Sequence, residues 1–266
     1  MSVVEVDEAK VAYRVEGKGP GLVLVHGTGG NSETNWTQVV GRLSERWTVV
    51  RPDYAGSGET IDNDAPLTID ALAAQVVAAA QAADAVPFDL VGFSLGAAVA
   101  TKIAADHPDK IRSAVLLAGF ATGNDPRLRL QFRLWRELID SDREALARIV
   151  LLTGFSPGFL SSLGDQAIET AIGEILAGNN WPGMARQVDL DLIADVRAEA
   201  ARIIRPTLVI GCTHDHMVPS VHAKELARLI PGATYAEIDS GHLAPLEKPV
   251  ELLDLIEPFL LREAAA

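Results

Sequence analysis

The chain has 266 residues, 48% of them hydrophobic, and a mean hydropathy of +0.17, enough for one large domain with a sizeable core and too apolar for a disordered chain. A formal charge of −13 and a pI near 4.9 argue against nucleic acid and anionic membranes as partners, because both select basic surfaces. Cys212 is the sole cysteine, so no internal disulfide can form; with the acidic start MSVVEVDEAK and no run of about 18 apolar residues, the sequence reads as cytosolic.

Taken in order, Ser2 to Val6 and Lys10 to Glu16 alternate as two early strands. The cluster Gly17 to Gly21 breaks the pattern, and Leu22-Val23-Leu24-Val25 is a continuous apolar run expected of a strand buried on both faces, ending in His26-Gly27-Thr28-Gly29-Gly30. A helix is expected from Ser32 to Glu45, then a strand Trp47 to Arg51 and the loop Pro52 to Thr60. Thr68 or Asp70 starts a long Ala-rich helix reaching Ala85. Strand Phe88 to Val91, helix Leu95 to Asp106 and strand Ile111 to Leu117 follow. Strand and helix alternate, which implies parallel βαβ units with a crevice beyond the carboxyl ends of the strands.

Between residues 122 and 200 the strand runs vanish. Helical periodicity covers Leu128 to Ile139, Arg143 to Leu152, Asp165 to Leu176 and Leu190 to Ala201, broken by Phe155 to Gly158 and by Gly178 to Gly183. The organisation expected is thus a core of residues 1–121 and 201–266 with a helical insertion at 122–200. Strand Pro206 to Gly211, helix Ser220 to Leu229, strand Thr234 to Ile238 and helix Val250 to Leu261 complete the core.

The chemistry starts at Gly92-Phe93-Ser94-Leu95-Gly96, a G-x-S-x-G between an apolar strand run and a small-residue helix. That context describes a nucleophile elbow, in which the serine sits on a strained turn and the glycines let strand end and helix start approach closely. A serine hydroxyl is a poor nucleophile at neutral pH and needs a histidine base held by a carboxylate. Of the six histidines, His242 directly follows the last strand and can reach back over the sheet, and Asp215 follows the strand before it. Asp239, Asn124 and Asp125 stand as alternatives for the acid. His214-Asp215-His216 also invites a metal-site reading, but adjacent residues on an extended segment point to opposite faces.

Five motifs in this order, His26-Gly27 with its glycine pair, Asp53-x-x-Gly56-x-Gly58, Gly92-x-Ser94-x-Gly96, Asp215-x-x-Val218-Pro219 and Gly241-His242, resemble those of the α/β-hydrolase superfamily over essentially the full chain. The resemblance implies an α/β fold with a mainly parallel, doubly wound sheet, residues 122–200 as a lid, and Ser94, Asp215 and His242 as a catalytic triad. It also implies that Thr28 and Leu95 N–H groups form the oxyanion hole, with Gly29 as substitute for Thr28. Serine rather than aspartate at the elbow disfavours chemistry through an alkyl-enzyme ester. No cofactor and no metal are implied. Expected pocket residues are Gly29, Trp36, Phe93, Trp135 and Trp181, and the arginines Arg127, Arg129, Arg133 and Arg136 read as a solvated helix face. The expected activity is hydrolysis of a small ester, lactone or thioester through an acyl-enzyme. Carbon-carbon bond hydrolysis, perhydrolase chemistry, ligand sensing and acyl transfer or cyclisation remain as alternatives. The expected partner is a small-molecule acyl substrate, with no nucleic acid and no membrane, and the protein as monomer or homodimer.

Overall fold

The computed structural model describes residues 1–264. Eight strands form one sheet: β1 (Ser2–Val6), β2 (Ala9–Glu16), β3 (Gly21–Val25), β4 (Thr48–Pro52), β5 (Phe88–Phe93), β6 (Ile111–Leu117), β7 (Thr207–Cys212) and β8 (Thr234–Ile238). Their spatial order is β1-β2-β4-β3-β5-β6-β7-β8; the pairings of β1 with β2 and of β2 with β4 are antiparallel, and all others are parallel. The mainly parallel sheet expected from alternating strand and helix is therefore the sheet observed.

The apolar runs explain the layering. Along β3, Val23 and Val25 enter one hydrophobic cluster while Leu22 and Leu24 enter another on the opposite face, and Leu90 and Val91 of β5 divide in the same way. A two-residue period with every position apolar therefore buries both faces of the sheet. One face is covered by α2 (Ile69–Ala82), α3 (Leu95–Asp106) and α10 (Ser220–Leu229), the other by α1 (Thr37–Ser44) and α12 (Pro249–Ala264). Thr68 caps α2 by accepting from Ala71 N–H at 3.1 Å.

Six helices lie between β6 and β7: α4 (Pro126–Ser141), α5 (Arg143–Gly154), α6 (Pro157–Ser162), α7 (Asp165–Gly178), α8 (Trp181–Ile193) and α9 (Arg197–Ala200). Two expected helices differ here and in the core. The helix expected from Ser32 begins only at Thr37, because Asn31 Oδ1 accepts from Glu33 and Thr34 N–H and Ser32 N–H is drawn to Asp53, which holds the segment as a turn. The helix expected over Leu190 to Ala201 is two elements. Helix α8 starts nine residues earlier, capped by Asn180 with Pro182 in its first turn, and ends at Ile193, after which Asp195 bridges to Thr122. The breaker residues Gly178 to Gly183 contain that cap: Asn then Pro two residues on is a helix start. A short α11 (Ala244–Glu247) also follows β8.

Candidate active site

Ser94, Asp215 and His242 come from three loops at the carboxyl ends of β5, β7 and β8. Ser94 has φ 56° and ψ −120°, a left-handed conformation that costs an L-residue about 1–3 kcal/mol. The chain is held there from both sides: Ser94 N–H donates to Leu117 O at 3.0 Å and Ser94 O accepts from Ala97 N–H at 2.8 Å. The elbow closes only because Gly92 and Gly96 lack side chains; a Cβ on Gly96 would stand 2.3 Å from Val25 O and 2.4 Å from His26 O.

The three side chains form one hydrogen-bonded series. His242 Nε2 lies 3.0 Å from Ser94 Oγ, and His242 Nδ1 lies 2.6 Å from Asp215 Oδ2. The other carboxylate oxygen, Oδ1, accepts from Met217 and Val218 N–H at 2.8 and 2.7 Å, which orients the group and fixes which oxygen faces the imidazole. With Nδ1–H donated to a carboxylate, Nε2 is the lone-pair nitrogen, placed to take the serine proton. Asp215 is 5% and His242 3% exposed, so little water competes for these bonds. The alternatives are engaged elsewhere: Asp125 caps α4, Asp239 meets Thr213 and His214, and Asn124, an amide rather than an acid, accepts from Arg129. His26 stacks on Tyr54 and spends its ring nitrogens on Gly27 O and Ser57 Oγ; burial holds its pKa down to about 4.

Two N–H groups lie free beside the serine loop. Leu95 N–H opens α3, where the helix dipole favours developing negative charge, and Thr28 N–H has no hydrogen-bond partner among the described residues. Gly29 N–H, by contrast, donates to Gln187 Oε1 at 2.8 Å. Between Thr28 and its substitute, the free donor is Thr28.

Residues 20–249 match the family model described as alpha/beta hydrolase fold. The chain belongs to the α/β-hydrolase family. This α/β-hydrolase is 56% identical, over 99% of each chain, to pyrrolizixenacetamide deacetylase of Xenorhabdus hominickii. Among solved structures it resembles the enol-lactonase of Burkholderia xenovorans LB400, with TM-score 0.87 and 25% identity over 98% of this chain and 100% of that one. A thermophilic esterase from Thermogutta terrifontis superposes with TM-score 0.86 at 22% identity, covering 99% and 100% of the two chains, a likeness of fold. The protein is thus a hydrolytic enzyme, and no helix among its described residues is long and apolar enough to cross a membrane.

The expected pocket residues separate into two groups. Phe93 lies against the His242 ring at 5.0 Å between centroids, Trp36 packs on Phe93 at 6.3 Å, and Gly29 stands in the loop beside Thr28. Trp135 packs on Phe132, and Trp181 lies under the Arg143 guanidinium, both among the inserted helices. Trp181 also lines a cleft of about 390 Å³ with Arg136, Arg143 and Arg186 on the insertion. The arginines of α4 are not all a solvated face: Arg127 donates to His216 and Met217 carbonyls, tying α4 to the Asp215 loop, while Arg136 pairs with Asp140 and Asp189.

Four supporting residues escaped the sequence reading. Besides Arg127, Glu247 accepts from Ser156 and Gly241 N–H at 2.8 and 3.1 Å and from Ser156 Oγ–H at 2.5 Å, clamping the residue before His242. Gln187 and Asp191, one turn apart on α8, reach the Thr28-Gly29 loop. Their i, i+4 spacing on an otherwise apolar helix face was the available signal, hidden because α8 was divided between a breaker and a later helix.

Proposed function

We propose that this α/β-hydrolase removes a small acyl group, foremost acetyl, from an amide or ester of a compact organic molecule, through an acyl-enzyme on Ser94. The observation that carries the reading is the unbroken series Ser94 Oγ, His242, Asp215 with two free N–H groups beside it. As Ser94 Oγ attacks the acyl carbonyl, its proton passes to His242 Nε2. Asp215 holds the imidazole and stabilises the imidazolium, and Thr28 and Leu95 N–H groups receive the oxyanion, each such donor worth about 3 kcal/mol in the transition state. His242 then returns the proton to the departing amine or alcohol, and activates a water that releases the acyl group as its acid. Side chains move the proton, backbone N–H groups hold the oxyanion, and water takes the acyl group.

Acetyl and amide are favoured by the 56% identical relative whose name makes it a deacetylase of an acetamide; this widens the ester, lactone or thioester expected from sequence. The inserted helices act as the lid, and the tight seat of the serine, where a Cβ on Gly27 would stand 2.9 Å from Ser94 Cβ, suits a short acyl chain. The test compares acetate release from acetamides, including pyrrolizixenacetamide, and from p-nitrophenyl acetate and longer esters, by wild type and Ser94→Ala. Turnover that falls with acyl length and vanishes in the variant is expected. Equal turnover by Ser94→Ala, or absence of fluorophosphonate labelling of wild type, refutes the acyl-enzyme.

A further inference from the structure

We propose that Asp191 and Gln187, carried by lid helix α8, position the Thr28 N–H for the oxyanion, so that the lid sets the geometry of a donor it does not itself contain. The inference rests on the acyl-transfer reading above, and both residues are positioning residues acting through the 27–30 loop.

Each of the two side chains divides its polar atoms in the same way. Asp191 Oδ2 accepts from Thr28 Oγ1–H at 2.6 Å, and Gln187 Oε1 accepts from Gly29 N–H at 2.8 Å, gripping the loop at Thr28 and at the residue after it. The remaining atoms, Asp191 Oδ1 and Gln187 Nε2, are buried without a hydrogen-bond partner among the described residues. Two buried orphan atoms on one helix face carry a desolvation cost that apolar residues would avoid. Something must offset it, and the position of the loop is what both contacts control. Helix α8 is also drawn tightly onto the neighbouring loop: a Cβ on Gly183 would lie 2.0 Å from Gly56 O, leaving the helix little freedom to shift.

Charge matters as much as position. Asp191 is buried and, among the described residues, no cation pairs with it; burial pushes its pKa up to about 8 against the opposing effect of the Thr28 bond. At neutral pH the carboxyl is uncharged. An ionised carboxylate bonded to the side chain of the residue whose N–H receives the oxyanion would oppose the charge that forms there. The titratable groups on the elements around it do not relieve this. Tyr54 is held protonated by burial and by Asp53, His26 is neutral, and Arg136 on α4 is engaged by Asp140 and Asp189.

The experiment measures kcat and KM for p-nitrophenyl acetate on both sides of pH 8, with fluorophosphonate labelling rates, for wild type, Asp191→Ala, Asp191→Asn, Thr28→Val and the double variant Asp191→Ala with Thr28→Val. Displacing one oxyanion donor is expected to lower kcat about 10- to 100-fold with KM within about twofold. Asp191→Ala and Thr28→Val should each show this, and the double variant should be no worse than either. Asp191→Asn, which keeps an acceptor for Thr28 but cannot ionise, should recover kcat and lack the alkaline decline expected of wild type above about 8. If Asp191→Ala does not fold, Thr28→Val removes the same bond from the loop side and decides the matter. Folded variants that turn over and label like wild type overturn the inference while leaving Ser94 as nucleophile. So do additive losses, or an unchanged alkaline decline in Asp191→Asn. Failure of wild type to label overturns both readings.

Discussion

Replacing Asp191 by Asn should make the protein's stability less sensitive to pH, and the size of the effect follows from the site. Below pH 3.8 the carboxyl is protonated in both the folded and unfolded chain and costs nothing extra. Between there and about 8 the unfolded chain releases the proton while the folded chain keeps it, so the unfolded state binds fewer protons and stability falls as pH rises. Above about 8 the folded carboxyl ionises too and the decline levels off. Each pH unit in that window is worth about 1.4 kcal/mol, so wild type should lose roughly 4 kcal/mol relative to Asp191→Asn between about pH 5 and about pH 8. Urea unfolding at unit pH intervals, with equal m-values for the two proteins, reads the difference directly. A constant gap across the window would mean that the folded protein holds Asp191 ionised, and the electrostatic part of its positioning role would fall with it.

Two further expectations concern the catalytic loops. In Asp215→Asn, the two N–H groups of Met217 and Val218 keep the side-chain carbonyl at the Oδ1 position, so the amide NH2 faces His242 Nδ1 and forces the proton onto Nε2. A fall in kcat of about 10⁴-fold with little change in unfolding midpoint is expected, and a fall below tenfold would argue that the carboxylate does not set the tautomer. Glu247→Ala leaves the N–H groups of Ser156 and Gly241 and the Ser156 hydroxyl without their buried acceptor. It should cost about 3 kcal/mol in urea unfolding, and Glu247→Gln less because the Ser156 hydroxyl can turn to accept; equal losses would locate the effect in side-chain volume instead.

The parts of the molecule legible in the sequence were those with short-range signals. A continuous apolar run marked β3 as a strand buried on both faces, and Ser94, Asp215 and His242 each follow a strand closely, where the sheet gathers them. Long-range side-chain partners were not. Whether Asp215 or Asp239 meets His242 depends on how one loop curls, and Asp215 is selected by N–H groups of its own turn. Glu247 looks in the sequence like any surface glutamate, since its partners Ser156 and Gly241 lie on different loops. Bulk alone cannot tell a pocket wall from the packing between helices: Trp36 packs beside Phe93, Trp135 packs on Phe132, and Trp181 both lies under Arg143 and lines a cleft.

The stretch where α5 gives way to α6 has a consequence for anyone who would re-engineer the enzyme. Thr153 O accepts from His216 N–H at 3.3 Å, Gly154 O accepts from Leu243 N–H at 2.9 Å, and Ser156 binds Glu247, so a few residues of the insertion brace the chain next to both Asp215 and His242. Exchanging the whole insertion for that of a homologue, a common way to graft a new specificity, would remove the scaffolding of the machinery along with the old binding surface. A chimera with its seams outside that stretch, keeping Thr153 to Ser156 native, respects the boundary that the hydrogen bonds draw rather than the one the topology suggests.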